Sequence, residues 1–331
     1  MVSNCAVCYT TDTNFILPTL VSATGLRKFV LPEKAAIYVF VVDDDARILE
    51  LNRFLASYQI RTVAMTGLVY SNFDPKQLHR SHLPTAALGR FFLEGLLPDV
   101  HRRILYLDGD TWIRRDPSPL IEANIPDGKL AAVEDEAYFR YFNPSPDGRE
   151  LRSYFAQLGI KWRNGYFNSG VLAASRSTWR SIMAEAHEFF AANTAACRFL
   201  DQSALNAVAD NRRVRLSLQW NFQTNFRYLG IEKRIDPVIY HFNGFPKPWM
   251  GACEPWTDMY EPYQQAAQSF ASLNLPLTRT THDIIASRNK WALRKYRALK
   301  SPLLARLASI CLGVDAYEKS SSDTRAPQQS G

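Results

Sequence analysis

RRILYLDGDTWI (102–113) is the stretch on which the reading of this chain turns. An apolar run, Ile104 to Leu107, leads straight into Asp108, Gly109 and Asp110. Residues i and i+2 of an extended segment point the same way, so the two carboxylates converge. Like-charge repulsion disfavours that arrangement unless a cation sits between them. Gly109, with no side chain, lets a bulky ligand come close to the backbone. The pair reads either as two solvated acids in a turn or as the beginning of a metal site.

The surroundings of this stretch give the fold class. AAIYVFVV (35–42) is a continuous apolar run of strand length, as in a sheet covered on both faces. Strands are also expected at 1–10 and 60–65. Helices are expected at 13–29, 44–58 and, after Pro84, 85–97. Alternating strand and helix over residues 1–110 argue for an α/β domain with a mostly parallel sheet. Ligands in such sheets bind beyond the carboxyl ends of the strands, which is where Asp108 and Asp110 fall. Further on, NPSPDGRE (143–150) reads as a loop, 166–173 and 237–242 as strands, and 178–192 and 201–210 as helices.

Composition narrows the class. With 331 residues, 47% of them hydrophobic, the chain can bury one large core or two modest ones, and 21% charged residues argue against global disorder. No apolar run reaches about 18 residues, so no membrane-spanning helix is expected. MVSNCAVCYTTD (1–12) lacks a basic region followed by an apolar stretch, so no secretory signal is expected. Five scattered cysteines make a disulfide framework improbable. Cys5 and Cys8, three apart on a strand, face opposite ways and read as buried small residues.

The basicity is local. No acid lies between Ile284 and Val314, and the seven bases there (Arg288, Lys290, Arg294, Lys295, Arg297, Lys300 and Arg306) account for the whole formal charge of +7. Mixed with Trp291, Tyr296 and a leucine-rich end, they read as a segment that attaches to an anionic membrane surface. A solvated basic helix or a nucleic-acid patch are its alternatives. The neutral body and the lack of a recognised binding module make nucleic acid an unlikely partner. The end of the chain, small and polar, reads as a disordered tail.

Four more motifs accompany the acidic pair. In VIYHFNGFPKPW (238–249), His241 at a strand end can complete a metal site, and Gly244 and Lys247 suit diphosphate oxygens. In GYFNSGVLAAS (165–175), Asn168 and Ser169 enter a strand and read as a turn or as readers of sugar hydroxyls. FLDQSALNAV (199–208) offers Asp201 as a helix N-cap, or Asp201 and Gln202 as site residues if they face the same cleft. The turn from Thr10 to Asn14 lies where a nucleotide base and ribose often rest. Dinucleotide and Walker-type phosphate loops are missing from the sequence.

In this order the five motifs resemble glycosyltransferase family 8, over about residues 4–250. This family of retaining sugar transferases includes bacterial lipopolysaccharide galactosyl- and glucosyltransferases and glycogenin. The resemblance implies a GT-A fold, with Rossmann-like sheet and acceptor region fused over 1–275; composition, not the resemblance, then sets off a basic and aromatic helical extension over 276–315 and a disordered tail over 316–331. It implies Asp108, Asp110 and His241 as ligands of Mn²⁺, or of Mg²⁺. Thr10, Asp12 and Asn14 match the uridine-binding turn, and Gly244 and Lys247 the diphosphate contacts. Arg90, Asp135, Asn168, Ser169, Asp201 and Gln202 match donor-sugar positions, with Asp135 the looser match. Two departures are Phe91 after Arg90, where many members have leucine, and Thr10, where a small apolar residue is usual.

The implied reaction moves glucose or galactose from a UDP-sugar to a saccharide or glycolipid acceptor, at the cytoplasmic face of a membrane. Retention requires a covalent intermediate, for which Asp201 is chemically better suited than Gln202, or attack on the face the phosphate leaves; the second route is favoured here. Alternatives are a hydrolase of nucleotide-diphosphate-sugars and a non-catalytic sugar-nucleotide-binding protein.

Overall fold

A computed structural model describes residues 3–73, 85–137, 146–161, 165–287, 289–290 and 313–321. Its strands are β1 (Cys5–Asp12), β2 (Ala35–Val42), β3 (Ile60–Ala64), β4 (Arg103–Leu107), β5 (Thr111–Ile113), β6 (Leu130–Glu134), β7 (Phe167–Ser175), β8 (Arg213–Arg215), β9 (Phe222–Gln223) and β10 (Ile239–His241). The α-helices that bear on the core and the site are α1 (Ile16–Arg27), α2 (Ile48–Leu55), α3 (Thr66–Asn72), α4 (Pro146–Gln157), α5 (Arg176–Asn193), α6 (Leu200–Val208), α7 (Tyr260–Gln268) and α8 (Val314–Ser320).

The main sheet has the order β3-β2-β1-β4-β7-β6-β8. From β3 to β4 all neighbours are parallel, whereas β7 runs antiparallel between β4 and β6. The start of β7 therefore lies at the same edge as the ends of β1, β4 and β6. Side chains alternate across the sheet, and both faces are covered. Cys5, Val7 and Tyr9 enter one core with α1, while Ala6 and Cys8 enter the other with α5 and α6. Cys5 and Cys8 thus diverge as expected, and both are free and buried.

α1 is buried over most of its surface because it is held between the main sheet and a smaller sheet, β5-β10-β9. Apolar character on all sides suits that position. The approach is close at Gly109, where a Cβ would lie 2.2 Å from Thr19 Oγ1. The glycine of the D-G-D is therefore required by the close approach of α1.

Three local expectations differ from the structure. Residues 85–97 form two 3₁₀ segments, Thr85–Phe91 and Leu93–Leu96, instead of an α-helix. Gly89 and Gly95 weaken helix propensity by about 1 kcal/mol each, and Gly89 is pressed against Met65 and Thr10. α4 begins at Pro146, inside the stretch read as a loop; proline at a helix start and Asp147 in the first turn favour that start. Asp201 is not the N-cap of α6, a position held by Phe199; it lies in the first turn, buried.

The chain after 316 is not wholly a tail, because α8 docks on the body. The Tyr317 hydroxyl donates to Leu216 O (2.5 Å) and accepts from Glu134 N (3.1 Å). Glu318 accepts from Ser217 Oγ and Leu218 N, and Asp315 pairs with Arg234. Removing only the hydroxyl in Tyr317→Phe leaves two buried backbone groups short of a partner. We expect a loss of about 1–3 kcal/mol in urea unfolding, with the fold retained.

Candidate functional site

Asp108 and Asp110 do not lie on an extended strand. They occupy the turn between β4 and β5, closed by Thr111 N and Oγ1 on Asp108 O at 3.2 and 2.8 Å. The third member comes from pairing across the small sheet: β10 runs antiparallel to β5, with His241 opposite Thr111. His241 Nε2 lies 3.2 Å from Asp110 Oδ1 and 3.6 Å from Asp108 Oδ2. One ligand atom from each of Asp108, Asp110 and His241 falls within 4.8 Å of the others. Two carboxylates and an imidazole form a donor set that fits Mn²⁺, and Mg²⁺ less well because it prefers oxygen.

Lys247 reaches the same place. Phe242 and Trp249 anchor both ends of its loop among Trp256 and Tyr263, and Gly244 turns the loop with φ +94°. Lys247 Nζ then donates to Asp110 Oδ2 and to Phe242 O, both at 2.6 Å. Burial alone would push the Asp110 carboxyl up, but Lys247 and His241 outweigh it and hold the group well below the usual carboxylate range. Burial likewise opposes charge on His241, and Asp110 and then Asp108 outweigh it to raise the imidazole.

The residues expected at donor-sugar positions converge through Arg90. Its guanidinium lies 4.2 Å above the Tyr106 ring and donates to Asp108 Oδ1 (2.9 Å) and Ser169 O (2.6 Å). Arg90 Nε is 3.1 Å from Asp201 Oδ2 but directs its hydrogen at Ala87 O, so that carboxylate oxygen accepts no hydrogen bond. Burial pushes the Asp201 carboxyl up to about 6, against the pull of Arg90. Gln202 Oε1 accepts from Ser169 N (3.0 Å), and Gln202 Nε2 donates to Asp135 Oδ2 (3.2 Å). Asn168 Nδ2 donates to the same Asp135 oxygen at 2.9 Å. Burial raises Asp135, and these amides oppose it. Asp135, Asn168, Ser169, Asp201 and Gln202 thus form one cluster, joined to the metal-type cluster by Arg90.

The N-terminal turn lies at the same sheet edge, beyond β1. Asp12 Oδ1 accepts from Asn14 N at 3.0 Å, and Asn14 is exposed. The Thr10 hydroxyl is engaged with Tyr106 OH at 2.7 Å, so Thr10 supports the ring under Arg90. Asp43, at the end of β2 with φ +69°, faces this turn and with burial helps raise the Asp12 carboxyl.

Three further positions shape the site and carried no signal in the sequence. Tyr106 supports Arg90. Asn221, fully buried, faces His241 Nδ1 at 2.9 Å. Gly170 lets β7 pass beneath the cluster: a Cβ there would lie 2.3 Å from His241 Cε1 and 2.8 Å from Asp108 Oδ2. A strand glycine marks such close approaches, but nothing in its neighbourhood told which residue approaches. Gly170→Ala should cost about 1–3 kcal/mol by overpacking in urea unfolding, and displace His241 or Asp108 in a crystal structure of the variant.

The sequence matches the profile of Glycosyl transferase family 8 over residues 6–253. It is 25% identical over 256 residues to the lipopolysaccharide glucosyltransferase WaaO of Escherichia coli K12, covering 73% of this chain and 72% of that one. It is 28% identical over 213 residues to General stress protein A of Bacillus subtilis 168, covering 59% and 70%. The fold is similar to that of galactosyltransferase LgtC, solved with donor and acceptor sugar analogues, with TM-score 0.64, 20% identity, and 84% of this chain and 98% of that chain covered. The mostly parallel sheet flanked by helices is thus the expected GT-A fold. The family match spans all five motifs, and this chain belongs to glycosyl transferase family 8.

Proposed function

We propose that this glycosyltransferase transfers glucose or galactose from a UDP-sugar to a saccharide acceptor, lipopolysaccharide or another glycolipid, with retention at the anomeric carbon. The observation that carries the reading is the meeting of Asp108, Asp110 and His241 beside the Asp135–Asn168–Gln202 cluster at the sheet's carboxyl edge. The lipopolysaccharide glucosyltransferase among the relatives supports the acceptor class.

In this reading Asp108, Asp110 and His241 hold a divalent cation, Mn²⁺ or Mg²⁺, which acts as a Lewis acid on the diphosphate. The turn of Asp12 and Asn14, set by the buried Thr10, takes the uridine. Lys247, with the backbone at Gly244, neutralises charge on the leaving diphosphate. Asp135, Asn168, Ser169 and Gln202 orient the sugar hydroxyls, and Arg90 holds Asp108 and Asp201 in place. The acceptor oxygen bonds to the anomeric carbon as the bond to the phosphate oxygen breaks, and that phosphate oxygen takes the acceptor proton. Two facts favour this same-face route: the Gln202 carbonyl is engaged by Ser169 N, and Asp201 is buried against Arg90. Trapping of a glycosyl-Asp201 adduct would count against it.

Purified protein with Mn²⁺ and a panel of UDP-sugars should release UDP slowly from one donor, and faster with acceptor present. Asp110→Ala should lower that release by at least about 100-fold. Release that no acceptor accelerates would indicate the hydrolase reading. Absence of release together with absence of binding in calorimetry would indicate a non-catalytic protein.

Peripheral attachment to the cytoplasmic face of a membrane belongs to the same proposal. Among the described residues no helix is long and apolar enough to cross a membrane. Most of the basic segment, including Arg288, Arg294, Lys295, Arg297, Lys300 and Arg306, lies outside the described residues. Its flanks are docked: Ile285 touches Gly251, Asn289 accepts from Glu254 N, and Tyr317 is buried. Deleting the end of the chain would disturb the body, so charge is the better variable. Replacing Arg294, Lys295, Arg297 and Lys300 by glutamine should remove about 1 kcal/mol of surface attraction per residue. Co-sedimentation with phosphatidylserine vesicles should fall accordingly while turnover of a soluble acceptor is kept; unchanged sedimentation would reject the attachment.

A further inference from the structure

The two halves of the site are joined by a chain of hydrogen bonds whose direction is fixed at one end. The Gly170 backbone N–H can only donate, so the Asn168 atom 2.9 Å from it is the carbonyl oxygen Oδ1. The same oxygen faces the Asn221 side chain at 2.8 Å, so the Asn221 atom there is the amide nitrogen. This turns Asn221 Oδ1 toward His241 Nδ1, at 2.9 Å, and an amide oxygen can only accept. His241 Nδ1 must therefore carry a proton, and the lone pair of the neutral ring resides on Nε2, the atom facing Asp108 and Asp110. Asn221 is fully buried and His241 and Asn168 nearly so, so no bulk water substitutes for these partners.

We propose that Asn221 is a positioning residue that fixes the His241 tautomer and ring orientation for metal binding, its own orientation being imposed by Gly170 N–H through Asn168. This rests on the metal reading above. Asn168 Nδ2 holds Asp135 at the other end, so the relay that orients the imidazole also reaches the sugar-side acid. A histidine ligand whose second nitrogen loses its acceptor binds metal more weakly, typically by about 10–100-fold.

The test is Mn²⁺ binding to the full-length protein without nucleotide, by calorimetry, with thermal melts to verify folding. Asn221→Ala should weaken Mn²⁺ binding by about 10–100-fold. Asn221→Asp, which keeps an oxygen opposite Nδ1, should stay at or above the wild-type affinity. Because Asn221 acts through the imidazole, Asn221→Ala should add no further loss in a His241→Ala background. Unchanged affinity in Asn221→Ala, or an equal loss with and without His241, would overturn the proposal. If the wild type itself binds no Mn²⁺, the metal reading fails first and the role of Asn221 falls with it.

Discussion

Four carboxylates meet at one edge of the sheet, and the site is built around the positive charge that lets them stay there. Asp108 and Asp110 share the turn after β4, while Asp135 and Asp201 approach from β6 and α6. Arg90 touches both Asp108 and Asp201, and Lys247 and His241 both touch Asp110. Breaking a buried charge pair by removing one partner costs about 3–5 kcal/mol, because the other charge is left uncompensated. Arg90 is therefore a condition for the acids to be packed so closely. Tyr106 beneath it and Thr10 beneath Tyr106 extend that support to β1.

Two glycines set the distances within this arrangement. Gly109 lets α1 come down on the turn, and Gly170 lets β7 pass under His241 and Asp108. Neither has a positive φ; both act by the side chain they lack. Close backbone contact from both sides leaves the acidic turn little room to relax, which favours a preorganised site over one assembled by its ligand.

The fold was legible because its signals are local. Apolar runs such as 35–42, alternating with helix-like stretches, define the sheet whatever their partners. The acidic pair, His241 and the N-S and D-Q pairs were legible as candidates through their order along the chain, which resembles that of the family; singly, each reads equally as turn acids, a core histidine, a turn or a cap. Asn221 was not legible, since LQWNFQ (218–223) alternates apolar residues with three amides, none of which stands out locally, and its asparagine gains meaning only from pairing across to β10. The same holds for Gly170 and Tyr106, whose partners are distant in sequence. The local errors have separate origins: Gly89 and Gly95 break the helix expected at 85–97, and Asp201, offered as a cap or as a site residue, lies in the first turn because Phe199 holds the cap position.

Most polar atoms in the site already have a partner, so a ligand must exchange contacts rather than add them. Lys247 spans Asp110 and Phe242 O, and a diphosphate arriving beside Gly244 would compete for that ammonium. Gln202 and Asn168 share Asp135, and sugar hydroxyls would compete for the same oxygen. Releasing Lys247 would leave Asp110 short of one positive partner, and a divalent cation held by Asp108, Asp110 and His241 would restore the balance. Under the proposed function, donor and metal binding would then be coupled through Asp110: a diphosphate that draws Lys247 away would leave Asp110 a better ligand for the cation, and a cation at Asp110 would free Lys247 for the diphosphate.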